Sequence, residues 1–213
     1  MARQLSFIDH LVIGIDRMRR SATGEAPAPV RASPATDHPD AVLAEAARRH
    51  AAGLMRINHT GEVCAQALYQ GQALTARQAG VREDMQQAAG EEIDHLAWCE
   101  ERVTQLGGHT SHLNPLFYAM SFGMGALAGA IGDRWSLGFV AATEEQVCRH
   151  LRDHLERLPE DDTRSRAIVQ QMIEDEERHG QQALAAGGTE LPPQLKEAMR
   201  LMSGLMTAST YRI

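Results

Sequence analysis

Aromatic residues are scarce in this chain, 4% of 213 positions, and no segment alternates polar and apolar side chains over a strand's length, so no sheet is expected. Cysteine is as sparse. Cys64, Cys99 and Cys148 are odd in number and widely spaced, which argues against a disulfide framework and for reduced thiols buried in helices. No C-x-x-C occurs either, which removes a rubredoxin-like metal pair. Basic residues fall short of acidic ones, and a net charge of −7 repels phosphate backbones, so nucleic acid is not an expected partner. No G-x-G-x-x-G follows a strand, since Gly123, Gly125 and Gly129 have the wrong spacing; no dinucleotide domain is expected. The apolar N-terminal stretch contains Asp9 and Asp16 and no small-residue cleavage site, which argues against a secretory signal and for a cytoplasmic protein.

What the chain has in quantity is Ala, Leu, Met, Gln, Glu and Arg, the residues that lose least freedom in a helix. An all-α fold follows, and the length suits one sizeable core. Leu5, Ile8, Leu11, Val12 and Ile15 recur at helical spacing before Arg17, Arg19 and Arg20, predicting a short amphipathic helix over residues 1–20 that packs or touches a membrane. Residues 21–39 carry Pro27, Pro29, Pro34 and Pro39 and read as a flexible linker. Residues 40–213 then form the main domain. Within it, long helices are expected over about 40–77, weakened at Gly53 and Gly61, and over 82–106, stopped by Gly107 and Gly108. Two more run from Asp133 to Pro159 and from the cap cluster Asp161, Asp162, Thr163 to Gly187 and Gly188. The uncharged run 116–132 is short and diluted by Gly and Ala, which favours a buried or interfacial helix over a spanning one. Its Gly125 and Gly129 offer a small-residue face for close helix contact. A last amphipathic helix carries Leu195, Met199, Met202 and Met206.

Chemistry concentrates on the four long helices. Glu92-Ile93-Asp94-His95 and Glu176-Glu177-Arg178-His179 each place a Glu and a His three apart, on adjacent turns of one face. The other two helices supply Glu62 and Glu144 within mostly uncharged stretches. One Glu from each of two helices with Glu-x-x-His from each of two others is the ligand pattern of di-iron and di-manganese carboxylate bundles. The offsets match: Glu62 to Glu92 is 30 positions, Glu144 to Glu176 is 32, so the chain reads as two helical hairpins, a ferritin-like four-helix bundle with extra amphipathic and apolar helices. Each of the six residues alone would be an ordinary surface Glu or a hydrogen-bonded His; six of them coinciding with the template is what carries the metal reading. Such a set suits redox chemistry with O₂. Glu91, Glu145 and Glu177 sit about 100° round the helix from the proposed ligands and are expected beside the centre or in solvent. Asp94 and Asp175 are candidates to orient a ligand imidazole, and His59 and His150 to support it or relay protons; Tyr69 and Tyr118 read as core or rim.

Asn58-His59-Thr60-Gly61-Glu62-Val63-Cys64-Ala65, Tyr69-Gln70-Gly71-Gln72, Glu92-Ile93-Asp94-His95-Leu96, Glu144-Glu145 and Glu176-Glu177-Arg178-His179 together closely resemble the demethoxyubiquinone hydroxylases, over about residues 40–213. The resemblance implies an O₂-dependent di-iron monooxygenase that hydroxylates the benzoquinol ring of a polyprenylated ubiquinone precursor. It also implies iron ligands Glu62, Glu92, His95, Glu144, Glu176 and His179, and an external reductant, NADH or the reduced quinone. A long isoprenoid tail further implies peripheral association with the cytoplasmic side of the cell membrane, entry lined by run 116–132 and the final helix, and contact with other ubiquinone-biosynthesis proteins. Where some relatives have a His-Tyr pair after the third-helix glutamates, this chain has His150 and Leu151, so a tyrosine relay lacks its tyrosine. The rival with similar ligands is a ferritin-like iron- or peroxide-handling protein.

Overall fold

The structure, a computed structural model, describes Asp9, Val12, Asp16 and residues 28–213. Those three N-terminal residues are helical; the remainder of the expected helix over 1–20, and residues 21–27 of the expected linker, lie outside the described residues. Among the described residues there are a 3₁₀ turn, Pro34–Asp37, and six α-helices: α1 Glu45–Thr75, α2 Ala79–Gln105, α3 Asn114–Ile131, α4 Asp133–Arg157, α5 Thr163–Ala185 and α6 Pro193–Thr210. No strand occurs among them, as expected.

Helices α1, α2, α4 and α5 form the bundle, α1 pairing with α2 and α4 with α5, and the hairpins meeting through α2 against α5 and α1 against α4. The turn between α1 and α2 is fixed by Asp133, whose carboxylate accepts the backbone N–H groups of Arg77 and Gln78 at 3.0 and 2.9 Å. Helices α2 and α5 stop as the glycine pairs require: Gly107 and Gly187 take φ of +72° and +100°, and Gly108 and Gly188 return hydrogen bonds to the carbonyls of Val103 and Ala183. Asp162 caps α5 through the N–H of Ser165 at 3.0 Å.

Two apolar clusters fill the bundle at different levels. One gathers Leu54, Met55, Trp98, Cys99, Leu151, Ile168 and Met172, the other Tyr69, Val81, Met85, Leu137, Val140 and Ala183. Along every bundle helix the six candidate ligands fall between the residues of these clusters, so apolar layers close the ligand level at both ends.

Helix α3 lies on α1 so closely that a Cβ at Gly125 would run into the Leu68 carbonyl, and one at Gly71 into the backbone of Phe122 and Ala126. No helix among the described residues is long and apolar enough to cross a membrane. Two expectations are corrected. Helix α1 starts at Glu45 rather than near Asp40: residues 40–44 are irregular up to Ala44, whose ψ of 147° is extended, and the Asp40 carboxylate reaches Arg102 at 2.9 Å. Residues 28–39, expected as part of a flexible linker, are seated on the bundle: Ala35 joins the first cluster, and the carbonyls of His38 and Pro39 accept from Arg164 and Thr163 at 2.9 and 3.4 Å.

Candidate metal centre

Glu62 comes from α1, Glu92 and His95 from α2, Glu144 from α4, Glu176 and His179 from α5, and none is more than 5% exposed. The i, i+3 spacing does what helix geometry dictates and puts Glu and His side by side. His95 Nδ1 lies 3.0 Å from Glu176 Oε1, 3.3 Å from Glu92 Oε2 and 3.6 Å from Glu62 Oε2. His179 Nδ1 lies 3.1 Å from Glu176 Oε2 and 3.7 Å from Glu92 Oε1. Glu92 and Glu176 therefore each turn one oxygen toward each imidazole, while Glu62 stands on the His95 side and Glu144 beside Glu176. One ligand atom from each of Glu62, Glu92, His95 and Glu176 falls within 4.8 Å of the others.

Both rings are set from behind. His95 Nε2–H donates to Asp175 Oδ2 at 2.9 Å, and His179 Nε2–H donates to Glu91 Oε2 at 2.7 Å. Asp175 and Glu91 are the residues just before Glu176 and Glu92, so each Glu-x-x-His helix orients the imidazole of the opposite one. With Nε2 turned outward to a carboxylate, both rings point Nδ1 inward at the ligand carboxylates, and a neutral imidazole held this way offers Nδ1 to a metal.

The electrostatics ask for a cation. Burial, then the carboxylates of Glu176 and Glu62, pushes the Glu92 pKa well above the ordinary 4.5; burial and then Glu176 do the same to Glu144. Burial would also raise Glu176, but the imidazoles of His179 and His95 beside it outweigh burial and hold that carboxyl down to about 2. Burial would lower both imidazoles, and the surrounding carboxylates raise them instead. Both oxygens of Glu92, Oε2 of Glu144, Oε1 of Glu176 and Nδ1 of His95 are buried without a hydrogen-bond partner. Unpartnered buried polar atoms are costly, and here those of Glu92, Glu144, Glu176 and His95 converge on one place within a set of four carboxylates and two imidazoles. Hard oxygen and borderline nitrogen donors in these numbers fit a pair of divalent first-row metals.

Residues 49–210 match the family described as ubiquinone biosynthesis protein COQ7. The chain belongs to the COQ7 family. It is 59% identical over 211 residues to a 3-demethoxyubiquinol 3-hydroxylase of Pseudomonas syringae pv. syringae (strain B728a), covering 99% of this chain and 98% of that protein. A protein of the same name from Chromohalobacter salexigens is 59% identical over 213 residues, the whole of both chains, and one from Pseudomonas putida (strain GB-1) is 58% identical over 211. COQ7 membership weighs against the ferritin-like iron- or peroxide-handling alternative.

Around this COQ7 centre three other residues take supporting places, of which only Glu91 is expected there from the sequence. Tyr69, expected in the core or at the rim, is fully buried with its hydroxyl donating to Glu144 Oε1; it stands seven residues after Glu62, two turns along the same face. Burial and the carboxylates of Glu144, Glu92 and Glu176 raise its pKa well above 10. Glu91 is the orienting carboxylate for His179. Arg31, from the segment before the bundle, reaches Asp94 Oδ2 with Nε at 2.7 Å and Asp175 Oδ2 with Nη1 at 2.8 Å. Of the two aspartates expected to orient a ring, Asp175 does so, whereas Asp94 holds Arg31. His59 faces away, its Nδ1 3.3 Å from Asn114 Nδ2 on α3, and His150 pairs with Ser203 Oγ at 2.9 Å on α6.

A cavity of about 190 Å³ opens beside the ligand level between α1, α3, α4 and α6, lined by Gly61, Cys64, Thr143, Gln146, Met199 and Met206 among others. Gly61 and Thr143 immediately precede Glu62 and Glu144. Of its lining residues Met120, Met202 and Leu205 are exposed, as is Leu127 further along α3.

Proposed function

We propose that this protein is an O₂-dependent di-iron hydroxylase that acts on the benzoquinol ring of a polyprenylated demethoxyubiquinol in ubiquinone biosynthesis. One iron would be held by Glu62, Glu92 and His95, the other by Glu144, Glu176 and His179, with Glu92 and Glu176 shared. The single observation that carries the ligand assignment is the pair of buried carboxylates, Glu92 and Glu176, each directing one oxygen at His95 and one at His179. The activity rests on membership of the COQ7 family and on relatives named 3-demethoxyubiquinol 3-hydroxylase.

The iron pair, when bound, supplies the chemistry that places one oxygen atom of O₂ on the ring and releases the other as water, with two electrons from an external reductant, NADH or the reduced quinone. The chain's own part is orientation and exclusion. Asp175 and Glu91 fix the rings, Tyr69 holds Glu144 by its hydroxyl, and the two apolar clusters flank the ligand level on either side. The ring of the substrate would enter the cavity between α1, α3, α4 and α6, its isoprenoid tail lying along the methionines of α6. The exposed apolar residues of α3 and α6 would rest in the cytoplasmic surface of the cell membrane, a peripheral association, where other ubiquinone-biosynthesis proteins can meet it.

The test is anaerobic reconstitution with Fe(II) of the wild type and of Glu92→Ala with His95→Ala, followed by a demethoxyubiquinol analogue, NADH and ¹⁸O₂. Two irons per chain and one labelled atom in the product are expected for the wild type, with both lost in the variant. Full hydroxylation by the variant would overturn the proposal.

A further inference from the structure

The two imidazoles are held alike but closed differently. Behind His179, Glu91 is a quarter exposed and borders a cavity of about 220 Å³ that also touches Tyr69 and His179 itself. Behind His95, Asp175 is buried beneath Arg31, whose guanidinium spans two helices: Nε on Asp94 of α2, Nη1 on Asp175 of α5, and Nη2 3.4 Å from His95 Nε2. The same guanidinium lies 4.9 Å over the Trp98 ring. Its backbone is tied as well. The N–H groups of Val30 and Arg31 donate to Asp94 Oδ1 at 2.6 and 3.3 Å, and Trp98 Nε1–H donates to the Arg31 carbonyl at 3.4 Å. A bidentate fork of this kind fixes angle as well as distance, which an ammonium cannot.

We propose that Arg31 is a positioning residue for the His95 half of the centre: it locks the Asp175 carboxylate that orients the imidazole and closes that half, so that the two halves hold metal by different means. This rests on the two-metal centre set out above. Among the described residues the His179 half relies on the bundle, since there its Glu91 is braced by the surface residues Arg178 and Gln87 at 3.3 and 3.1 Å. Removing the fork frees Asp175 to turn toward Arg178, already 2.9 Å from its other oxygen, and leaves His95 without a fixed acceptor. Loss of an orienting partner behind a ligand histidine lowers metal affinity by about 10- to 100-fold.

The experiment is anaerobic titration of the full chain with Co(II), read by visible absorption and by bound cobalt per chain, for wild type, Arg31→Gln and Arg31→Lys. The wild type should bind two ions. Arg31→Gln should bind one as the wild type does and the other about 10- to 100-fold more weakly, with a changed spectrum for that ion. Arg31→Lys should fall between, because a single ammonium can serve one aspartate and not both. Two ions bound in both variants with unchanged affinity and spectrum would overturn the positioning role alone. Equal weakening of both ions in both variants would overturn it too, in favour of a general packing role, while a wild type that binds no cobalt would overturn the metal centre and this inference with it.

Discussion

Glu92→Gln separates the strain that the ligand set imposes on the fold from the metal binding it permits. Glu92 is fully buried, neither oxygen receives a hydrogen bond, and the carboxylates of Glu176 and Glu62 stand next to it. Burial first, and those neighbours next, raise its pKa well above 4.5. Without a cation the side chain is accommodated by taking up a proton, and that sets a ceiling on its cost. Neutralising a carboxyl of ordinary pKa at pH 7 costs 1.36 kcal/mol per pH unit over roughly 2.5 units, so at most about 3 kcal/mol. Glutamine keeps the shape, needs no proton, and offers N–H donors to the carboxylates beside it. Metal-free Glu92→Gln is therefore expected to gain up to about 3 kcal/mol, which for a chain of this size raises the melting temperature by at most about 6–12 °C. The sign of the pH dependence follows from the raised pKa: between pH 4.5 and its folded value the native state holds a proton that the unfolded chain has released, so this group's contribution is intact below 4.5 and lost as pH rises. The variant's lead should accordingly shrink from pH 7 to pH 5. Thermal melts at both pH values, with and without Co(II) under nitrogen, would check it. A metal-free variant that melts below the wild type at pH 7, or one that keeps the full cobalt-induced rise, would refute the reasoning.

Three further outcomes are expected. Gly125→Ala forces α3 off α1, because its Cβ would meet the Leu68 carbonyl carbon at 2.9 Å, and urea unfolding should show a loss of about 1–3 kcal/mol; no loss would mean that the two helices adjust without strain. His154 donates from Nδ1 to Asn58 Oδ1 at 2.6 Å, and burial, then His150 and Arg157, lowers its pKa to about 4. The unfolded chain thus binds a proton below 6.5 that the native state refuses until about 4, so stability is complete above 6.5 and falls by up to about 3 kcal/mol on acidification. His154→Gln should flatten the stability change between pH 7 and pH 5, and an unchanged slope would count against that assignment. Leu127→Asp with Leu205→Asp, both more than two-thirds exposed in the wild type, should cut co-sedimentation with phospholipid vesicles while leaving iron content alone; undiminished sedimentation would remove these helices from the membrane contact.

The candidate ligands were legible in the chain because two constraints coincide on them. A helix maps i and i+3 onto one face whatever surrounds it, and a carboxylate deep in an Ala- and Leu-rich helix is too expensive to keep without a partner, so Glu62 and Glu144 stood out beside the two Glu-x-x-His turns. The helix ends were legible for a similar local reason, since Gly107 and Gly187 meet a backbone requirement that few residues satisfy. Tyr69 satisfied the same spacing rule relative to Glu62, yet an aromatic at helical spacing is as well explained by a core, and only its bond to Glu144 distinguishes the two. His59 shows the opposite case: a histidine of the right type three residues before a ligand, turned by packing to Asn114 on α3. Arg31 had no local signature. Its partners Asp94 and Asp175 lie 63 and 144 residues away, and its segment has neither helical nor strand period, so nothing near it in the chain announces that it is ordered. Segments of that kind are held by a few charged contacts to partners chosen by the fold, and a proline-rich composition, which rules out a helix, says nothing about whether the chain is anchored. That is why the boundary expected at residue 39 falls inside a stretch that the bundle already holds from Val30 onward.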